Sequence, residues 1–418
     1  MKLQYIHNES KRKLSGGLVH SYLGIHEDEL KEMGGVFTAR EIAHQPSVWR
    51  KTKTLFLQHL PEITSFLDNV FSLQDLNIIL TGAGTSAFIG DVLQGPMQKL
   101  TGKTVQAVAT TDMVTHPRLY LKEEQPTLLI SFARSGNSPE SIKSVQLAEQ
   151  LCRNIYHFII TCNMEGNLAK NATGDNTFVF LLPPESDDKS LAMTSSFTSM
   201  LLSGLFLASY NDVENLSKEF DKLIQYAAVI FDRYLDDLRK VALLDFDRAV
   251  FLGSGLFQGI ARESHLKLQE LSDGKVICKY DTFLGFRHGP KAVINNKTLL
   301  AFLFSNDSYV RLYEKDLVND INNGEKGIFR IGVMEDEIDV DVDLKIILNR
   351  DKKVEPIREC MLTVVSVIPA QVIGFFKSMY LGLKPDSPSE SGTITRVVRG
   401  VRLYSYEEET TYSSTEAV

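Results

Sequence analysis

Two stretches of this chain have residue types suited to holding a charged ligand: Gly82-Ala83-Gly84-Thr85-Ser86, and Ser131-Phe132-Ala133-Arg134-Ser135-Gly136-Asn137-Ser138. Each follows an apolar run, Ile78-Ile79-Leu80 in the first case and the segment from Thr127 in the second. Glycines let a backbone approach a ligand closely, a following helix offers N–H groups, and hydroxyls supply neutral donors for phosphate oxygens. Together the loops read as a phosphate cradle made by Gly84, Thr85, Ser86, Ser135, Gly136, Asn137 and Ser138, with Arg134 beside them. Either loop taken alone is as readily an ordinary strand-to-helix turn.

Acid–base chemistry has its candidates further along. Glu263, Lys267 and Glu270 fall at i, i+4 and i+7, on one face of a helix that follows Gly253-Ser254-Gly255, while Ile260, Leu268 and Leu271 serve the core. By spacing alone this is a salt-bridged surface stripe. His288 stands in Phe286-Arg287-His288-Gly289-Pro290. An imidazole there can move a proton between oxygens near neutral pH, and a structural histidine in a Gly-Pro turn fits equally well. His44 and His265 have neither setting and read as structural. Cys152, Cys162, Cys278 and Cys360 show no Cys-x-x-Cys spacing, so the sequence indicates core thiols in a reducing cytosol and neither a metal site nor a disulfide framework.

The elements that must position these residues occur twice. Ala249-Val250-Phe251-Leu252-Gly253-Ser254-Gly255 repeats the pattern of Ile78 to Gly84, and Thr298 to Asn306 repeats Thr127 to Ser135 at the same offset. Strand, glycine turn, helix, strand and polar turn in succession predict a parallel sheet with helices on its faces, and ligands of such sheets bind at the carboxyl ends of the strands. The second copy keeps the glycines but follows Gly255 with Leu256-Phe257, so only the first suits phosphate. The expected organisation is a helical lead-in over 1–72 and a first α/β unit over 73–211. A helical connector with a second unit over 212–384 and a tail over 385–418 complete it. Trp49, Phe56, Leu60, Ile63, Phe66 and Leu67 have helical spacing in the lead-in, interrupted by Pro61; the tail is expected to be β-rich, then acidic and frayed from Glu407.

Gly-Ala-Gly-Thr-Ser, Ser-Phe-Ala-Arg-Ser-Gly-Asn-Ser-Pro-Glu-Ser and Leu191-Ala192-Met193-Thr194-Ser195-Ser196-Phe197 together resemble the sugar isomerase (SIS) family. Leu266 to Ser272 and Phe286 to Pro290 are similar to the isomerase half of glucosamine-6-phosphate synthase. Arg134 and the segment Ser391-Gly392 to Val401 point to the tagatose-6-phosphate ketose/aldose isomerase group, whose members are galactosamine-6-phosphate deaminase/isomerases. The resemblance spans roughly Thr38 to Leu383 and implies two duplicated SIS-type three-layer α/β/α domains with parallel sheets. It makes Glu270 the base that moves a proton between two carbons, and His288 the ring-opening group, on a loop that reaches a neighbouring subunit's site. A homodimer or higher oligomer with shared sites follows. Where the synthase has a serine in its third loop this chain has Met193, leaving Thr194 as the hydroxyl, and where the synthase closes its site with a lysine-bearing tail this chain offers Arg396 and Arg399.

The resemblance implies an enzyme that converts galactosamine 6-phosphate to tagatose 6-phosphate and ammonia, with no metal or organic cofactor. A non-deaminating aldose–ketose isomerase and a sugar-phosphate sensor are the alternatives. The start of the chain, Met1-Lys2, lacks the nucleophilic cysteine of a glutaminase domain and lacks a signal-peptide core, which favours ammonia release and a cytoplasmic address. In its 418 residues, 43% hydrophobic and 23% charged, the chain has enough apolar material for two globular domains. Net charge of −8 and the absence of a long basic cluster argue against nucleic acid, since Lys11-Arg12-Lys13 and Arg396 to Arg402 are short. No window of about eighteen apolar residues free of charge indicates a membrane span.

Overall fold

Uninterrupted apolar runs form strands buried on both faces, as parallel sheets require. The computed structural model describes residues 20–351, 355–398 and 400–407. A hairpin of β1 (Ser21–Tyr22) and β2 (Ile25–His26) opens them, its turn made by Leu23 and Gly24 at φ 51° and 75°. No pattern in the sequence marks this hairpin. Helices Val36–Ala43, Gln45–Gln58 and Leu60–Phe71 follow. Pro61 sits in the first turn of the third, where its missing N–H costs no hydrogen bond, so it starts a helix in the lead-in.

The first sheet holds β3 (Asn77–Thr81), β4 (Thr104–Ala107), β5 (Thr127–Ala133), β6 (Ile155–Thr161) and β7 (Thr177–Leu181), in the order β4-β3-β5-β6-β7. The second holds β8 (Arg248–Gly253), β9 (Ile277–Asp281), β10 (Thr298–Leu303), β11 (Phe329–Met334) and β12 (Leu344–Ile347), in the order β9-β8-β10-β11-β12. Every pairing in both is parallel. The two orders are the same, as a duplicated unit requires. Each reverses direction between its first and third strands, β3/β5 in one half and β8/β10 in the other, where a crevice opens at the strand ends.

The halves meet through helices Thr85–Thr101 and Phe257–Leu271. A Cβ at Gly259 would come 2.8 Å from the backbone nitrogen of Val92, so only glycine permits this approach. Around that junction lies one continuous core. Trp49, fully buried, donates from Nε1 to Thr198 Oγ1 at 2.9 Å, and the Phe56 ring lies 5.4 Å from that of Phe206, fastening the lead-in to the buried helix Ser195–Ala208. The connector runs as Val213–Val229, a π-turn at Ile230–Tyr234, and Leu235–Ala242.

The run Glu359–Tyr380 is apolar and long enough to cross a membrane, but 89% of its most apolar stretch is buried inside the protein, where Gly374 packs against Leu271. It is a core helix pair. The tail departs from expectation. Among its described residues, 385–398 and 400–407, no strand forms. Two side chains of the first half hold its backbone: Arg134, which donates to the Arg396 carbonyl at 2.6 Å, and Gln150 Nε2, which donates to the Tyr406 carbonyl at 3.3 Å.

Candidate active site

At the end of β3 the chain turns into helix Thr85–Thr101 through Gly84 at φ 58°, a conformation that strains any side chain. A Cβ at Gly82 would fall 2.6 Å from the Ser86 backbone, so the tightness of the turn also demands glycine there. At the end of β5, Ser135 and Gly136, at φ 65°, lead into helix Pro139–Leu151, whose proline occupies the first turn. The Asn137 N–H donates to Ser135 Oγ at 3.2 Å, closing the loop on itself. β3 and β5 are neighbours, so both helix N-termini face one crevice.

That crevice is a cleft of about 510 Å³, lined among others by Gly84, Thr85, Ser86, Ser135, Gly136 and Ser138. Asn137 is exposed and turns away: its side-chain oxygen accepts from the Asn167 N–H at 3.0 Å. Across the cleft stands Glu270, carried from the second half on helix Phe257–Leu271.

The face that spacing read as a surface stripe is instead buried where the two halves join. Lys267 is 1% exposed, and its ammonium donates to Glu270 Oε2 at 2.7 Å and Thr85 Oγ1 at 3.1 Å. Glu263, fully buried behind it, takes no hydrogen bond among the described residues and lies 3.4 Å from the same ammonium as an ion pair. Burial pushes the Glu263 carboxyl up to about 8 despite the opposing pull of Lys267. Burial also works against the Lys267 ammonium, but Glu263 and Glu270 outweigh it and raise its pKa.

A third loop supplies the floor. Asp188, fully buried, accepts from the backbone N–H of Thr194 at 2.7 Å, of Ser195 at 3.2 Å and of Ser196 at 2.9 Å, capping helix Ser195–Ala208. Thr194, put forward above as the sugar-facing hydroxyl, is fully buried, aims its Oγ1 at Asp188 at 3.3 Å and does not line the cleft; Met193 does. Glu41 supports the loop from the lead-in, accepting from the Ser190 hydroxyl. Burial, with Asp188 nearby, lifts its carboxyl to about 7. Neither Asp188 nor Glu41 carries a sequence mark, because the pairing joins residues distant along the chain.

Arg134 borders the cleft but spends its guanidinium on protein. It donates to the carbonyls of Ser190 at 3.3 Å, Leu191 at 3.1 Å and Arg396 at 2.6 Å. Arg396 answers by donating to the Asp188 carbonyl at 2.9 Å and to Asp187 Oδ1 at 2.6 Å. The segment Gly392–Val398 thereby forms one wall of the cleft. Arg399 lies outside the described residues. His288 is exposed, in a turn after helix Phe283–Phe286, and does not line this cleft. His44 Nε2 lies 3.1 Å from Ser195 Oγ, and burial lowers His265 to about 4.

A duplicated parallel α/β unit, with a hydroxyl-lined cleft at the switch point of one copy, defines a SIS-domain protein, and the SIS domain pattern matches residues 73–210. Over 392 residues the sequence is 38% identical to the D-galactosamine-6-phosphate deaminase AgaS of Shewanella sp. (strain ANA-3), covering 92% of this chain and 96% of that one. The structure superposes with a TM-score of 0.81 on a tagatose-6-phosphate ketose/aldose isomerase from Escherichia coli, 36% identical, over 90% of this chain and 98% of that one. An isomerizing glutamine–fructose-6-phosphate aminotransferase of Streptococcus agalactiae is 24% identical over 84% of this chain and 57% of its own length. The chain belongs to the SIS family, in the group of the D-galactosamine-6-phosphate deaminases AgaS.

Proposed function

We propose that the chain converts galactosamine 6-phosphate to tagatose 6-phosphate and ammonia in the cytoplasm. The observation that carries this reading is Glu270 facing the Thr85–Ser86 and Ser135–Ser138 loops across one cleft. The relatives that span nearly the whole chain support the choice of substrate.

In the reading we favour, the phosphate rests against the hydroxyls of Thr85, Ser86, Ser135 and Ser138 and the Gly136 backbone, at two helix N-termini. His288 of a second copy moves the ring proton from the anomeric hydroxyl to the ring oxygen, because the same residue of this chain stands away from the cleft. The open sugar then has a C1 carbonyl and a C2 amine. Glu270 takes the C2 proton, the C1 oxygen is protonated, and an enolamine forms. Return of the proton at C1, with loss of an N–H proton, gives the 2-imine of a ketose, and water releases ammonia and leaves tagatose 6-phosphate. Lys267 holds Glu270 toward the cleft.

Ammonia release from galactosamine 6-phosphate, glucosamine 6-phosphate and unphosphorylated galactosamine tests this. The first is expected to be turned over fastest and the last not at all. No ammonia from any of the three overturns the reading.

A further inference from the structure

A second cleft, of about 780 Å³, opens beside the Gly255-Leu256 turn that follows β8, between helix Phe257–Leu271 and the C-terminal half of helix Thr85–Thr101. Its relation to the first is residue by residue. Gly84 at φ 58° and Gly255 at φ 57° open the equivalent helices, and Asp91 and Arg262, 171 residues apart, pair at 2.8 Å where those helices cross. At that offset Glu270 of the first cleft corresponds to Lys99, and each of these two residues lines the cleft opposite its own half. Thus each helix of the crossing pair gives its N-terminus to one cleft and a charged residue near its C-terminus to the other.

The chemistry of the two clefts is opposite. Leu256 and Phe257 replace the hydroxyls of Thr85 and Ser86, Pro96 replaces the buried Lys267, and a lysine replaces the base. Both acids that line it are engaged: Glu359 accepts from the Ser305 hydroxyl, and Asp91 pairs with Arg262 at 2.8 Å. No group in the cleft matches the base of the first, so the cleft is not equipped for the same proton transfer. It keeps cations: Lys99, which makes no ion pair among the described residues, Arg262, held by Asp91, and Arg358, held by Glu219 at 2.6 Å. The N-terminus of helix Phe257–Leu271 adds positive potential.

We propose that this second cleft binds a small phosphorylated polyol and holds it without turnover, a phosphate site of different make from the hydroxyl-lined one that the sequence pattern specifies, with Lys99 taking the phosphate beside the Asp91-held Arg262. The choice of probe rests on the sugar-phosphate reading of the first cleft, but the measurement does not require turnover. Titration calorimetry with 6-phosphogluconate, an open-chain sugar phosphate with no carbonyl to isomerise, is expected to give two binding events per chain. Lys99→Glu is expected to weaken one by about tenfold or more, and Ser135→Ala the other. Lys99 is exposed, so its substitution does not threaten the fold. Cys360 lines the second cleft, and the same ligand is expected to slow its alkylation, mapped by peptide, in the Ser135→Ala protein. A single event per chain, lost in Ser135→Ala and kept in Lys99→Glu, overturns the proposal, as does a Cys360 that the ligand leaves unprotected. Absence of ammonia release would instead count against the proposed reaction alone.

Discussion

The Lys267 ammonium stands 2.7 Å from Glu270 Oε2 and 3.1 Å from Thr85 Oγ1, so one buried cation ties the helix of the second half to the glycine turn of the first. Removing it strands the Glu270 carboxylate and leaves Glu263 buried without its cation. Lys267→Met is expected to cost about 3–5 kcal/mol of stability, because breaking a buried pair leaves charge uncompensated. Adding Glu263→Gln should recover part of that loss. Chemical denaturation of the single and double variants checks the pair, and equal stability of the two would contradict the coupling.

Glu270→Gln keeps the size and hydrogen bonding of the side chain and removes the base. Turnover is expected to fall on the order of 10²–10⁴-fold, while sugar-phosphate affinity stays within a few-fold. Ammonia release beside calorimetry separates the two quantities. Near-full deamination by this variant would remove Glu270 from the chemistry.

Ser135→Ala acts at the other end of the substrate. Loss of one donor to a charged phosphate is expected to weaken binding by about 1.5–3 kcal/mol. An unchanged dissociation constant would show that the phosphate rests elsewhere.

Arg396→Ala unlatches the tail, since its guanidinium holds Asp187 and the Asp188 carbonyl. The expected outcome is faster proteolysis within 391–398 and a KM raised by about tenfold, the order of one charged hydrogen bond. A tail no more sensitive to protease than that of the parent protein would mean that Arg134 alone retains it.

Glu314 gives a pH signature away from the first cleft. It is fully buried, accepts from the Ser305 N–H at 3.0 Å, and burial lifts its carboxyl from an ordinary 4.5 to about 8. A carboxyl raised on folding favours the native state while protonated, so its contribution is lost as pH climbs from about 4.5 to 8. Glu314→Gln stays neutral throughout. Its stability relative to the parent is expected to improve with pH across that window, by up to about 1.4 kcal/mol per pH unit. Parallel curves from pH 5 to 8 would contradict the raised value.

What the sequence determined by itself is local and periodic. Ile78-Ile79-Leu80 before Gly82 and Gly84 specifies a buried strand and a turn that only glycine tolerates, and the same pattern at Ala249 to Gly255 specifies its duplicate. Both depend on backbone conformation and side-chain polarity within a few residues, so they are readable in one dimension. The tertiary structure decided what each polar residue faces. Lys267 and Glu263 have the spacing of a solvated stripe, yet the Gly259–Val92 approach presses their helix into the junction and buries them. Arg134 and Thr194 lie in the right loops, yet Asp188 and the returning tail take up their hydrogen bonds. The hairpin at Leu23 and the loop form of the tail depend on packing partners distant along the chain, as does the exposure of His288 outside the cleft lining. Burial and hydrogen-bond competition are set by the whole fold, and no local pattern encodes them.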